Sequence, residues 1–185
     1  MIERYSRDYA EGQETLPLVL YEKATMTSVI ESIAVRYMIP CAALRGYSSE
    51  TLDSQVAAFI DRQQRPVRVI YIGDFDADGE DIERNAQEWI DADEWTRVAL
   101  NADQITQYAL PRNPGKPLSA RRRAFLDRHG MDIQVEVEAL PPDVLVRLAE
   151  DAILDGWNVE LQEQVKRAES AELDRLRAFI AEWEG

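Results

Sequence analysis

Cysteine, histidine and basic side chains are scarce in this chain. There is one cysteine and one histidine in 185 residues, and 21 lysines and arginines face 35 acids, for a formal charge of −14. A lone Cys41 cannot form an internal disulfide, and its place in the apolar run Ile39–Leu44 fits a buried structural thiol. The acidic surplus sets a whole-body field that opposes nucleic acid, so any DNA contact must be local, metal-assisted or supplied by a partner. No apolar run nears the length needed to cross a bilayer, and no secretory leader is evident, so a soluble, cytoplasmic protein with no membrane partner is expected. At this length the chain is one domain, with or without a helical appendage.

The most informative stretch is Val67–Gly79, VRVIYIGDFDADG. A β-rich apolar run after Pro66 is followed at once by Asp74, Asp76 and Asp78, a buried strand ending in like charges. Acids this close repel one another in a low-dielectric strand end unless a cation or backbone donors sit among them. A hard divalent ion is the simplest answer. The spacing partly fits a calcium-binding EF-hand loop, but Asp81 stands where an apolar residue is wanted and Asn85 where a bidentate Glu belongs. A loop of that kind is also entered from a helix, whereas the run here reads as a strand. The better reading is a strand-end Asp-x-Asp in an α/β sheet, which predicts another acid at the end of a neighbouring strand.

Glu22 meets that expectation. Leu16-Pro-Leu-Val-Leu-Tyr-Glu-Lys is a second apolar run closed by a carboxylate, and the helix after it shows Met26, Val29, Ile30, Ile33, Ala34 and Tyr37 on one face. A Glu closing the first strand, then Asp-x-Asp and Gly closing a later one, resembles the Toprim signature of topoisomerases, primases and some nucleases. Tyr-Glu-Lys and Gly-Asp-Phe-Asp-Ala-Asp-Gly-Glu-Asp-Ile are most similar to the Toprim part of the topoisomerase VI A subunit and the meiotic Spo-eleven-type proteins. The resemblance covers roughly Leu16–Leu140. It implies an arm over 1–15, a Toprim domain over 16–140 with a Rossmann-like, mostly parallel sheet flanked by helices, and a C-terminal helical extension over 141–185. It also implies a Mg²⁺ site, with Mn²⁺ as substitute, at Glu22, Asp74 and Asp76.

Further along, Pro40–Arg45 reads as a strand and Ser48 or Ser49 as the N-cap of a helix burying Leu52, Val56, Phe59 and Ile60. Arg45, in a turn that also looks like the family's, either holds a phosphate or is an ordinary surface residue. The next helix is expected to start near Gly79 or Glu80, with Ile82, Ala86, Trp89 and Ile90 inward. Asp78 is read as its N-cap in preference to a further metal ligand. Trp95–Leu100 and Asp103–Tyr108 are expected as strand and short helix. Six of the 21 basic residues then fall between Arg112 and Arg128. Arg112, Lys116, Arg121, Arg122 and Arg123 form the one credible nucleic-acid contact, against the alternative of a basic helix pairing with the chain's own acids. His129 suits a C-cap. Met131–Leu140 alternates as a half-exposed strand, and its wording resembles the end of related Toprim proteins, which implies Glu136 as an extra ligand. Two helices follow, the last over Val159–Trp183 with a broken apolar stripe that leaves room for a partner or a second copy.

The expected activity is Mg²⁺-dependent phosphoryl transfer on DNA, with Asp74 and Asp76 holding the ion and Glu22 ligating it or acting as general acid/base. In the resembled family the nucleophilic tyrosine lies in a separate winged-helix domain, and residues 1–15, with Tyr5 and Tyr9, are too few to hold one. The chain is thus read as a nuclease using water, or as the metal-binding part of a topoisomerase-like cleavage complex with the nucleophile or DNA-binding domain on a protein partner. Asp76→Ala should abolish cleavage. The alternative is a non-catalytic metal-binding module that recruits a protein. A phosphoacceptor receiver fits poorly, because receivers pair their acids on the first strand and not the third.

Overall fold

The computed structural model describes residues 5–44, 50–114, 119–130 and 133–183, excluding the side chains of 50–53. Four parallel strands form its centre: β1 (Leu16–Tyr21), β2 (Cys41–Ala43), β3 (Val67–Ile72) and β4 (Glu94–Ala99), in the spatial order β2-β1-β3-β4. Every residue of β1 and β3 is buried, as near-continuous apolar runs covered on both faces should be. Their register pairs Leu16 with Val67 and Tyr21 with Ile72, so both strands finish at the same level. The residues immediately beyond those ends, Glu22 and Gly73-Asp74, are therefore neighbours in space.

Helices α1 (Thr27–Tyr37), α2 (Glu50–Ile60), α3 (Ala77–Trp89) and α4 (Ala102–Gln107) alternate with the strands. Beyond them come α5 (Ala120–His129), α6 (Pro142–Leu154) and α7 (Val159–Trp183), and a small antiparallel ribbon of β5 (Asn113–Pro114) and β6 (Ile133–Gln134). α6 packs against α1, β3 and β4, and buried Arg68 of β3 reaches the Ile153 carbonyl on it. The result is an α/β layer structure with a four-stranded parallel sheet. No helix among the described residues is long and apolar enough to cross a membrane.

Several expectations change in detail. The alternating segment 131–140 is a strand only at Ile133–Gln134; Val135 makes an isolated antiparallel bridge to Phe75, and Val137–Ala139 turns as a 3-10 helix. Val135 and Val137 are buried and Glu136 and Glu138 exposed, so the in/out pattern holds. The segment crosses the end of β3 without joining the main sheet, hence the lost ladder. β4 runs one residue earlier than expected. α3 begins at Ala77, and Trp89 on its last turn is 67% exposed. Gly130, in the left-handed region at φ 64°, is the C-cap of α5, which leaves His129 inside the helix to meet Glu80 of α3 and the rings of Phe75 and Phe125.

Residues 5–15 run as turns and irregular backbone ahead of β1. The Tyr5 and Tyr9 hydroxyls donate to Glu172 and Glu169 of α7, and Arg7 bonds both acids. Both tyrosines are thus held by α7 and not presented toward the strand ends. The Ser48 or Ser49 cap and the side chain of Leu52 lie outside the described residues.

Candidate functional site

The carboxyl end of β3 builds the site. Tyr71 buries its ring under the chain, and a Cβ at Gly73 would stand 2.7 Å from its Oη, so only glycine lets the strand end fold over it. Arg97 of β4 braces the turn by donating to the carbonyl oxygens of Asp74 and Leu100, and it pairs with Glu83 at 2.7 Å. The backbone then turns into α3. Asp76 is the N-cap, its Oδ1 accepting from the Gly79 amide at 2.7 Å, which takes the capping role expected of Asp78. Asp76 and Asp78 both follow the strand end closely, and the cap is the one whose backbone is still extended as it enters α3.

Glu22, Asp74 and Asp76 meet at this rim, all buried. The Asp74 amide donates to Glu22 Oε2 at 2.9 Å, tying the end of β3 to the end of β1. Asp74 Oδ1 accepts from the Val137 amide at 2.9 Å, which explains why the 133–140 segment crosses here. Gly79 closes the floor: a Cβ there would lie 2.5 Å from the Asp74 carbonyl and 3.2 Å from Glu22 Oε2. Burial, then the charges of Asp74 and Asp76, push the Glu22 carboxyl up to about 6, against the lowering effect of the Asp74 amide.

Sequence reasoning missed Lys23. Its Nζ lies 2.9 Å from Asp74 Oδ2, 3.0 Å from Glu138 Oε2 and 3.5 Å from Glu136 Oε2. Partial burial works against the ammonium, but the hydrogen bonds to Asp74 and Glu138 outweigh it and raise its pKa. Glu138 also accepts from the Thr25 hydroxyl, and that bond followed by Lys23 holds its carboxyl below the usual range. The only signal for this was the position of Lys23 directly after the strand-end Glu22. Glu138 falls at an exposed position of the alternating segment, where a carboxylate reads as solvent-facing.

The other candidates are spread more widely. Asp78 is on the first turn of α3, half exposed, 4.0 Å from Arg121 of α5. Glu136 is exposed and faces Lys23. Arg121 Nε lies 3.1 Å from Asp81, and Arg128 pairs with Glu80, so α5 leans its basic side on the acidic face of α3. Arg112 donates to Thr106, the Arg122 amide is capped by Ser119, and the Arg123 side chain is exposed. Arg45 and Lys116 lie outside the described residues. A cavity of about 550 Å³ runs between α3 and α5, lined by charges of both signs including Glu80, Asp81, Arg97 and Arg121.

Among the described residues no three acid, histidine or cysteine side chains form a ready metal shell. The donor chemistry still suits a hard cation. Mg²⁺ keeps several waters and takes only one or two carboxylates, and buried Glu22, Asp74 and Asp76 supply oxygens alone. Searches against protein-family models and curated proteins find no match for this chain.

Proposed function

We propose that the chain is a Toprim-like module for Mg²⁺-dependent phosphoryl transfer on DNA, acting as a nuclease or as the metal-holding part of a larger cleavage complex. The observation that carries this is the convergence of Glu22 with Asp74 and Asp76 at one buried rim, from strands 52 residues apart in sequence. Like charges are seldom gathered out of water without a task, and a perturbed acid at a strand end is a candidate for one. Asp74 and Asp76 would hold the ion, with Glu22 ligating it as well or acting as general acid/base, and the ion would neutralise charge on a scissile phosphate and orient the attacking oxygen. In the role of general acid/base, with no direct bond to the ion, Glu22 has in its pKa near 6 a value suited to taking up or returning a proton close to neutral pH. Gly79 leaves room beside its Oε2 that any side chain would fill. Arg121 of α5, beside Asp78, offers a basic contact on which a phosphate backbone would lie.

The test is conversion of supercoiled plasmid to nicked or linear DNA in Mg²⁺ or Mn²⁺. The wild-type chain should cleave, and Glu22→Gln should lose at least about a hundredfold in rate, the scale of a positioned acid/base. Asp76→Asn is a cleaner companion than Asp76→Ala, because Asn keeps the helix cap while removing the charge. Cleavage that survives both substitutions sinks the assignment. A second reading, a non-catalytic metal-binding module that recruits a protein partner, is favoured by the internal pairing of Arg121 and Arg128 with α3. It predicts stabilisation by Mn²⁺ with no cleavage.

A further inference from the structure

We propose that Lys23 is a built-in counter-ion that competes with the divalent cation for Asp74, with Glu138 and Glu136 as the seat that keeps its ammonium at hand when Asp74 is given up. This rests on the metal-binding reading above. Three observations lead to it. The ammonium lies 2.9 Å from Asp74 Oδ2, the carboxylate oxygen not taken by the Val137 amide. Two further carboxylates flank it, at 3.0 and 3.5 Å, on a segment that the Val135 bridge to Phe75 anchors apart from the Asp74 side chain. Glu138 is itself fixed by the Thr25 hydroxyl.

This arrangement solves the problem that like charges pose in the metal-free chain. An ammonium and a hard cation both seek carboxylate oxygens, and both cannot use the same lone pairs at full strength. A lysine on a four-carbon stem can move between partners, whereas a backbone donor cannot. Asp74 follows the end of β3 and Glu138 lies in the turn Val137–Ala139, so the two seats belong to different elements.

Two substitutions should move the metal affinity of the full chain in opposite directions. Mn²⁺ binding is measured by calorimetry, with free Mn²⁺ checked by electron paramagnetic resonance. Lys23→Met, which keeps the length and removes the charge, should tighten Mn²⁺ binding by about tenfold, the scale of one charge-assisted contact no longer contested. Glu138→Gln should weaken it severalfold, since Lys23 then has less reason to leave Asp74. In the absence of metal, Lys23→Met should melt lower than wild type, and Mn²⁺ should close the gap. Wild-type binding that is equal to, or tighter than, that of Lys23→Met overturns the competition while leaving the metal site standing. Absence of Mn²⁺ binding by wild type and Lys23→Met alike overturns both.

Discussion

At the scale of single residues, Glu22 carries a charge that its surroundings disfavour. Its carboxyl titrates near 6 in the folded chain against an ordinary value of 4.5, chiefly because it is buried and next because Asp74 is beside it. The folded state therefore holds the Glu22 proton more tightly than the unfolded chain does. Stability from this group is fully present below pH 4.5, declines as pH rises toward 6, and stays at the lower level above that. Without divalent metal, Glu22→Gln should gain stability relative to wild type across that window, reaching on the order of 1 to 2 kcal/mol at neutral pH. Gln can still accept the Asp74 amide, so the hydrogen bond to β3 is kept. Urea denaturation of both proteins between pH 4 and 8 tests this, and the difference between the two curves cancels titrations that they share. A flat difference would mean that the carboxylate is better solvated than its burial implies.

At the scale of elements, the decisive contact is the start of α3 against the end of β3. Asp76→Ala should cost about 1 kcal/mol through the lost cap, while Asp76→Asn should cost little. Gly79→Ala should be worse, about 3 kcal/mol, because the new methyl meets the Asp74 backbone at 2.5 Å and backbone cannot swing aside. Thermal melts of the three variants should fall in that order, with Asn highest and Gly79→Ala lowest. Reversal of the last two would mean that the β3–α3 turn relaxes more easily than its packing suggests. This junction also marks the limit of what the sequence disclosed. The apolar runs ending in Glu22 and Asp74 revealed both strands and their common rim, because a buried strand has one polarity pattern and a sharp end. The capping role went to Asp76 and not Asp78 because three acids at period two give the same helix-start signal, and only the backbone entering α3 chooses among them. The 131–140 segment was legible as a face pattern but not as a strand, since alternation reports burial and says nothing of hydrogen-bond partners. Lys23 was hidden for a related reason: its partners Glu136 and Glu138 are more than 110 residues away, and only the crossing of that segment over Asp74 brings them near.

At the scale of the whole molecule, a charge of −14 has to be reconciled with a polyanionic substrate. Many basic side chains are already engaged within the chain: Arg7 on Glu11 and Glu172, Arg65 on Asp8, Arg84 on Asp81, Arg97 on Glu83, Arg128 on Glu80. The same Arg7, with the hydroxyls of Tyr5 and Tyr9, clasps the arm to Glu169 and Glu172 of α7. What faces outward on α5 is Arg123, and Arg121 on another side of the helix beside Asp78, both exposed. A basic surface of that size contacts few phosphates, and each phosphate neutralised contributes a slope of about −0.9 to the dependence of log affinity on log salt. Binding to a short duplex, followed by fluorescence anisotropy at fixed Mg²⁺, should therefore be weak and show a shallow slope of about −2 to −3. Arg123→Gln should reduce that slope by about one and weaken every sequence alike, because a phosphate contact carries no base information. The variant should leave Mn²⁺ binding and the melting temperature unchanged, as its side chain lies away from the buried rim. A slope that Arg123→Gln does not alter would remove α5 from the DNA path and return its arginines to the role of holding α3, with nucleic acid then reached only through a partner that supplies the missing positive charge.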